Sequence, residues 1–431
     1  MDDSVQPPPE SAARAPRRFW QVLGPGLITG ASDDDPSGIA TYSQVGAQYG
    51  YGMAWVLLFS YPLMAAIQQI SAQIGRVTGQ GIAGNMRQHY PLILVRAMVG
   101  LLLVANVINL GADLGAMADA VKLLIGGPDH IYVILFAVVC TLLEIFSSYG
   151  RYVSILKWTT LSLLAYVATV LAVEVPWGQV AYHTFIPGIT WERDYLVGIV
   201  AVLGTTISPY LFFWQSSEEA EDERFDPQAN PLIEAPAEAP GELRRIALDT
   251  YLGMGYSNLI ALFIVITAAA TLHVHGITDI HTSADAAQAL KPIAGPFASA
   301  VFALGIVGTG MLAIPVLAGS VAYAIGESRK WPTGLGRKPA EAKAFYGTIA
   351  VATLLGMGVN FLSIDPMKAL FWTAVINGVV AVPLMVVIMM MAVRPAIMGD
   401  FTIGRPLRIV GWLATGVMAV AVAAMFWTMI F

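Results

Sequence analysis

The chain has 431 residues, is 56% hydrophobic and only 12% charged, and has a mean hydropathy of +0.66. A water-soluble domain carries about twice that charged fraction, so the composition excludes an ordinary soluble enzyme and points to a polytopic membrane protein. A single cysteine, Cys140, excludes an intrachain disulfide and a multi-thiolate metal centre, and the net charge of −6 gives no basis for a nucleic-acid partner.

Residues 1–17 are polar and rich in Pro and Ala, and read as a disordered cytoplasmic tail without a cleavable signal peptide. From residue 18 onward the chain reads as one transmembrane domain. A bilayer-crossing helix needs about 20 mostly apolar residues. Such stretches lie at 19–48, 52–74, 95–124, 130–148, 151–174, 194–216, 242–274, 286–325, 341–361, 366–393 and 407–430, which makes eleven. The third, seventh and eighth are longer than one crossing requires. Between the sixth and seventh, Ser216 to Arg245 reads as a solvated acidic loop containing Glu218, Glu219, Glu221, Asp222 and Glu223.

With the N-terminus inside, 19 Lys and Arg residues fall on the cytoplasmic side. Only Lys122, Arg193, Lys291 and Lys368 fall outside. This positive-inside bias places the N-terminus in the cytoplasm and the C-terminus outside. The six histidines fall mostly in outer loops and are assigned no ligand role. Glu144 is expected to pair with Arg151 or Lys157.

Two spans are interrupted. In the first, Asp33-Asp34-Asp35-Pro36-Ser37-Gly38 sets three carboxylates and a proline in an apolar run. In the sixth, Gly204-Thr205-Thr206-Ile207-Ser208-Pro209-Tyr210 does the same with small and hydroxyl residues. Buried carboxylate is costly at membrane depth, and irregular backbone survives there only inside protein or beside water. Five spans separate the two breaks. An odd number gives two inverted units, 18–174 and 194–393, with 407–430 outside the repeat, and paired broken helices of this kind mark a midplane site. No Lys or Arg lies at mid-depth to neutralise Asp35, so a cation or a proton must. Asp33 and Asp34 are placed to hold water or to cap the second half-helix. Asn377, in the tenth span, offers an amide oxygen. Asn106, Asn109 and Asp113 share one helix face by their i, i+3, i+7 spacing and make either an ion or proton route or a polar network.

These residues resemble a known family. Gly24-Pro25-Gly26 followed by Asp35-Pro36-Ser37-Gly38 and Gln44-Val45-Gly46-Ala47-Gln48-Tyr49-Gly50 is similar to the first helix of NRAMP-type divalent-metal transporters. Thr205 to Tyr210 falls on the family's Ala-Thr-Val-Met-Pro-His pattern, Val77-Thr78-Gly79 on its Val-Thr-Gly stretch, and Asp113 on its third helix. The resemblance implies an all-α, LeuT-like fold of eleven helices in an inverted 5+5 repeat plus one, with helices 1 and 6 broken. It implies that Asp35 binds the metal, that the carbonyl of Thr205 faces it, and that Ser208 and Gly38 stand where the family has Met and Asn. Tyr210 replaces a histidine, while Asn106 and Ala116 replace acids of the family's proton route.

The substitutions remove every soft ligand. Hydroxyls, carbonyls and one carboxylate suit a hard cation, and Mg²⁺ usually keeps several of its waters. Gly38 and Ser208 are expected to leave room for that shell. The pattern resembles the divergent NRAMP-related magnesium transporters. The expected function is import of Mg²⁺, and of Mn²⁺ as a second ion, by a monomer in a bacterial inner membrane through alternating access, with no further cofactor. It is expected to run without proton coupling: two charges entering down about 100 mV gain roughly 4.6 kcal/mol. The alternatives are a conventional proton-coupled Mn²⁺/Fe²⁺ symporter and a Na⁺-coupled carrier of an organic substrate. No nucleophile–base pair or nucleotide loop suggests an enzyme.

Overall fold

The computed structural model describes residues 25–146, 159–225, 229–362 and 365–430. The expected tail 1–17 and the partners expected for Glu144, Arg151 and Lys157, lie outside them. The described chain is helical throughout. The first span is split into α1 (Pro25–Asp33) and α2 (Pro36–Tyr49). Then come α3 (Ala54–Thr78), the short α4 (Ile82–His89), α5 (Leu92–Ile125) and α6 (Asp129–Phe146). A 3-10 turn (Thr159–Leu163) leads into α7 (Leu164–Ala172), and α8 (Trp177–Phe185) lies in the connection to the sixth span. The sixth span is split into α9 (Arg193–Thr206) and α10 (Pro209–Phe225). After it run α11 (Ala239–Thr271), α12 (Ala298–Arg329), α13 (Lys343–Val359), α14 (Pro366–Ala392) and α15 (Arg405–Ile430). Nine described helical stretches are long and apolar enough to cross a membrane; the split first span and the partly described fifth complete the eleven.

Proline alone does not make the breaks. Pro62, Pro315 and Pro383 lie inside continuous helices. Pro36 opens α2 at its first position, where a missing N–H costs nothing. Asp35 before it is extended (φ −68°, ψ 171°) and caps the helix, its carboxylate accepting from the Gly38 N–H at 2.8 Å. In the sixth span the helix persists through Thr206 and only Ile207 and Ser208 are unwound, a narrower gap than the one expected from 205 to 210. The eighth span also starts later than expected. Residues 283–297 form short turns, because Pro292 and Gly295, at φ +50°, interrupt them before α12 begins.

α1 and α2 lie along α11, α9 along α14, α10 between α3 and α12, and α12 along α5. Small residues permit the closest approaches, as in membrane helix pairs generally. A Cβ on Gly204 would collide with the Ala374 carbonyl oxygen and lie 2.5 Å from the Gly378 nitrogen. Gly204→Ala should therefore force α9 from α14 and lower the melting temperature of the purified protein, at a cost of about 1–3 kcal/mol. α6 and α15 turn Ile134, Leu135, Ile409 and Val420 outward, an apolar perimeter suited to lipid.

The acidic segment is not a solvated loop. α10 continues to Phe225, and Glu218, Glu219, Glu221 and Glu223 are buried, leaving Asp222 exposed. Glu223 pairs with Arg76 at 3.1 Å and Glu219 with Arg245. The Tyr323 hydroxyl lies between Glu218 (3.0 Å) and Glu221, and Glu221 also accepts the N–H groups of Leu335 and Gly336 at 3.1 and 2.6 Å. The helical period delivers glutamates to both flanking walls, α3/α11 and α12. The following stretch docks too: Leu232 is buried, and its N–H and that of Ile233 reach the Arg76 and Val77 carbonyls, both at 3.3 Å.

Candidate functional site

The two breaks meet. A proline removes the N–H that would bond the carbonyl four residues back, so Pro36 frees the Ser32 carbonyl and Pro209 frees that of Thr205. Side chains at the sixth-span break take both. The Ser208 hydroxyl donates to the Thr205 carbonyl at 2.7 Å, and the Tyr210 hydroxyl lies 3.2 Å from the Ser32 carbonyl. Tyr210 thus ties the sixth span to the first and stands equally 3.2 Å from Asp35 Oδ2.

Asp35 is 1% exposed and is the hub. Its Oδ1 accepts from the Ser37 hydroxyl at 2.6 Å and the Gly38 N–H at 2.8 Å; Oδ2 accepts from Asn109 Nδ2 at 3.2 Å and from Tyr210. Every donor here is neutral. Among the described residues no Lys, Arg or His forms an ion pair with Asp35, and no three His, Cys, Asp or Glu converge on one point. A cation here would meet one carboxylate and neutral oxygens. The Ser208 hydroxyl gives its proton to the Thr205 carbonyl, leaving its lone pairs without a donor among the described residues.

Gly38 does not leave the empty volume expected of it. A Cβ there would lie 3.1 Å from Thr205 Oγ1 and 3.3 Å from the Tyr42 ring, so Thr205 of α9 already fills the space beside it. Gly38 positions Asp35 through its N–H and admits Thr205. The fully buried Asn377 sits on α14 beside the Gly378–Gly204 contact, with neither amide atom hydrogen-bonded.

The predicted third-span face divides. Asn106 donates to the Leu317 carbonyl (3.0 Å) and the Ser320 hydroxyl (2.7 Å), so it clamps α5 to α12 rather than serving the site. Asn109 reaches Asp35. Asp113, one turn beyond, is fully buried with both carboxylate oxygens unpaired. Asp33 and Asp34 turn away from the break to the Ser257 hydroxyl on α11, at 2.6 and 3.1 Å. Ser37 and Ser257 were not singled out as site residues from sequence, whereas Asn109 was placed with Asn106 and Asp113 on one face of α5. Asn109 had a signal in its spacing from Asp113; Ser257 had none.

The family profile described as Natural resistance-associated macrophage protein-like matches residues 26–428. Among curated relatives, "Divalent metal cation transporter MntH" of Burkholderia ambifaria is 26% identical over 440 residues, covering 97% of this chain and 93% of the relative. The protein of the same name from Deinococcus radiodurans is 26% identical over 422 residues, covering 97% and 92%. The crystal structure of an Eremococcus coleocola manganese transporter superposes with a TM-score of 0.71 at 17% identity, covering 96% of this chain and 89% of that one. MhsT in complex with L-phenylalanine superposes at 0.60 and 13% identity, covering 94% and 98%. The fold is therefore the LeuT-like one, and the chain belongs to the Nramp family.

Proposed function

We propose that this protein carries divalent metal cations across the membrane by alternating access, holding the ion at Asp35 between the two helix breaks, and that it admits the oxygen-preferring ions Mg²⁺ and Mn²⁺. The observation carrying this reading is the set of oxygen donors at the two breaks: the buried Asp35 carboxylate, the Ser208 hydroxyl and the Thr205 and Ser32 carbonyls, with the unpaired Asn377 amide on neighbouring α14. Oxygen donors favour hard cations, and Mn²⁺ shares that ligation. The basic-residue asymmetry supports a cytoplasmic N-terminus and an external C-terminus, and the bacterial relatives support an inner-membrane location.

A second reading is a conventional proton-coupled Mn²⁺/Fe²⁺ symporter. The names of the relatives favour it over a magnesium carrier: the Burkholderia and Deinococcus proteins are called divalent metal cation transporters and the Eremococcus protein a manganese transporter. Uptake into proteoliposomes, reporting metal and internal pH together, separates the two. Mg²⁺ and Mn²⁺ entry without acidification is the expected result. Mn²⁺ entry with acidification and no Mg²⁺ entry would establish the symporter instead. Ser208→Met should shift competition toward Cd²⁺ over Mg²⁺ on the order of tenfold, as a soft ligand enters the shell. Unchanged competition would place Ser208 outside the shell.

A further inference from the structure

The innermost broken half-helix, α1, runs along α11 as a seam. Asp249, Gly253 and Ser257 lie at i, i+4 and i+8 on α11 and therefore share one face. The Gly26 N–H donates to Asp249 Oδ2 at 2.7 Å, Gly30 abuts the Gly253 backbone, and Asp33 and Asp34 meet Ser257. At this upper end Ser257 has one proton to give and two carboxylates against it. The other oxygens, Asp33 Oδ1 and Asp34 Oδ2, are enclosed and have no hydrogen-bond partner. The two side chains are 1% and 0% exposed, and among the described residues neither forms an ion pair with Lys, Arg or His. Carboxylate oxygens without partners at such depth are stable only with a proton or a cation beside them. With Asp35 and Asp113, the first span and α5 bury four carboxylates, more than a single divalent ion at Asp35 neutralises.

We infer that Asp33, Asp34 and Ser257 form a second cation seat, distinct from Asp35 and directly beside it on the α1–α11 seam, for the same oxygen-preferring divalent ion. Two carboxylates and a hydroxyl oxygen, completed by water, are a hard-cation donor set. When the ion enters, the Ser257 proton turns to the Gly253 carbonyl one helical turn back, as serines on helices do, and its lone pairs face the ion.

This inference rests on the divalent-cation reading above, and metal counting separates the two. Purified full-length protein is titrated with Mn²⁺, and bound ion is counted from the loss of the free-ion EPR signal. Two Mn²⁺ per chain are expected for the wild type, one for Asp35→Ala, and one for the Asp33→Asn, Asp34→Asn double variant. Ser257→Ala, which leaves both carboxylates and exchanges one small buried side chain for another, should weaken one of the two sites by about tenfold. One Mn²⁺ in the wild type, unaltered in the double variant and in Ser257→Ala, would mean that the pair holds protons only and would overturn the second seat. Loss of all binding in Asp35→Ala would also overturn it, since the seats would not be separate. No Mn²⁺ bound by the wild type would refute the divalent reading itself.

Discussion

Asp35→Ala should abolish divalent uptake in proteoliposomes, with a fall on the order of 100-fold or more. Changes to residues that merely support a metal ligand already cost about 10–100-fold, and among the described residues Asp35 is the carboxylate that joins the two breaks through Tyr210. Its oxygens collect four donors from three helical segments: Ser37 and Gly38 on α2, Asn109 on α5 and Tyr210 on α10. Removing it takes away the ion's charged ligand and the cap of α2 together. Asp35→Asn distinguishes these effects. The amide oxygen can still accept from Gly38, which preserves the cap, while the charge is lost. Uptake should therefore fail in both variants, but only Asp35→Ala should lose melting temperature, by an amount matching about 1 kcal/mol for a lost cap. Normal uptake by Asp35→Asn would show that the negative charge is not needed and would remove Asp35 from the metal site.

Arg76→Ala should be the most destabilising change away from the breaks, at about 3–5 kcal/mol, because it leaves the buried Glu223 without its counter-charge and Glu238 without its ion pair. The Arg76 side chain is 4% exposed. It bonds Glu223 at 3.1 Å and Glu238 at 3.2 Å, approaches Glu242 at 3.6 Å, and donates to the Asn230 carbonyl at 2.7 Å. It joins the end of α3 to α10, to the 230–238 segment and to the start of α11. A thermal melt of the purified protein measures the loss. Arg76→Lys should recover only part of the stability, since one ammonium cannot reproduce the guanidinium's separate bonds from two nitrogens to Glu223, Asn230 and Glu238. The Glu223→Gln, Arg76→Met pair should be far closer to wild type than Arg76→Ala alone. A melt of Arg76→Ala within a degree of wild type would show that the network carries no stability.

The same contrast between local and distant information explains how far the residues alone could be read. Helix number, the two breaks and the buried aspartate at the first of them were legible because each depends on short-range chemistry. An apolar run long enough to cross lipid, a proline lacking an N–H, and an aspartate with no cationic neighbour in the run are all visible within about 20 residues. Prolines 62, 315 and 383 did not mislead, because none has an Asp or a Gly-Thr-Thr-Ile-Ser run beside it. The acidic stretch at 218–223 was misread for the opposite reason. Considered alone, four glutamates and an aspartate favour water, and it is Arg76, Arg245, Tyr323 and the N–H groups of Leu335 and Gly336 that reverse that preference. The nearest of these is Arg245, 26 positions away.

The site divides along the same line. That Asp35 needs positive charge follows from burial cost and composition. That Ser208 and Tyr210 occupy the carbonyls freed by Pro209 and Pro36, that Thr205 fills the space beside Gly38, and that Asn106 belongs to the α5–α12 clamp are outcomes of helix packing. So is the turning of Asp33 and Asp34 toward Ser257, more than 220 positions away. Periodicity states which residues share a helix face. Which other face that one meets depends on how small residues such as Gly30, Gly204 and Gly253 let the backbones close, and no local pattern encodes the partner.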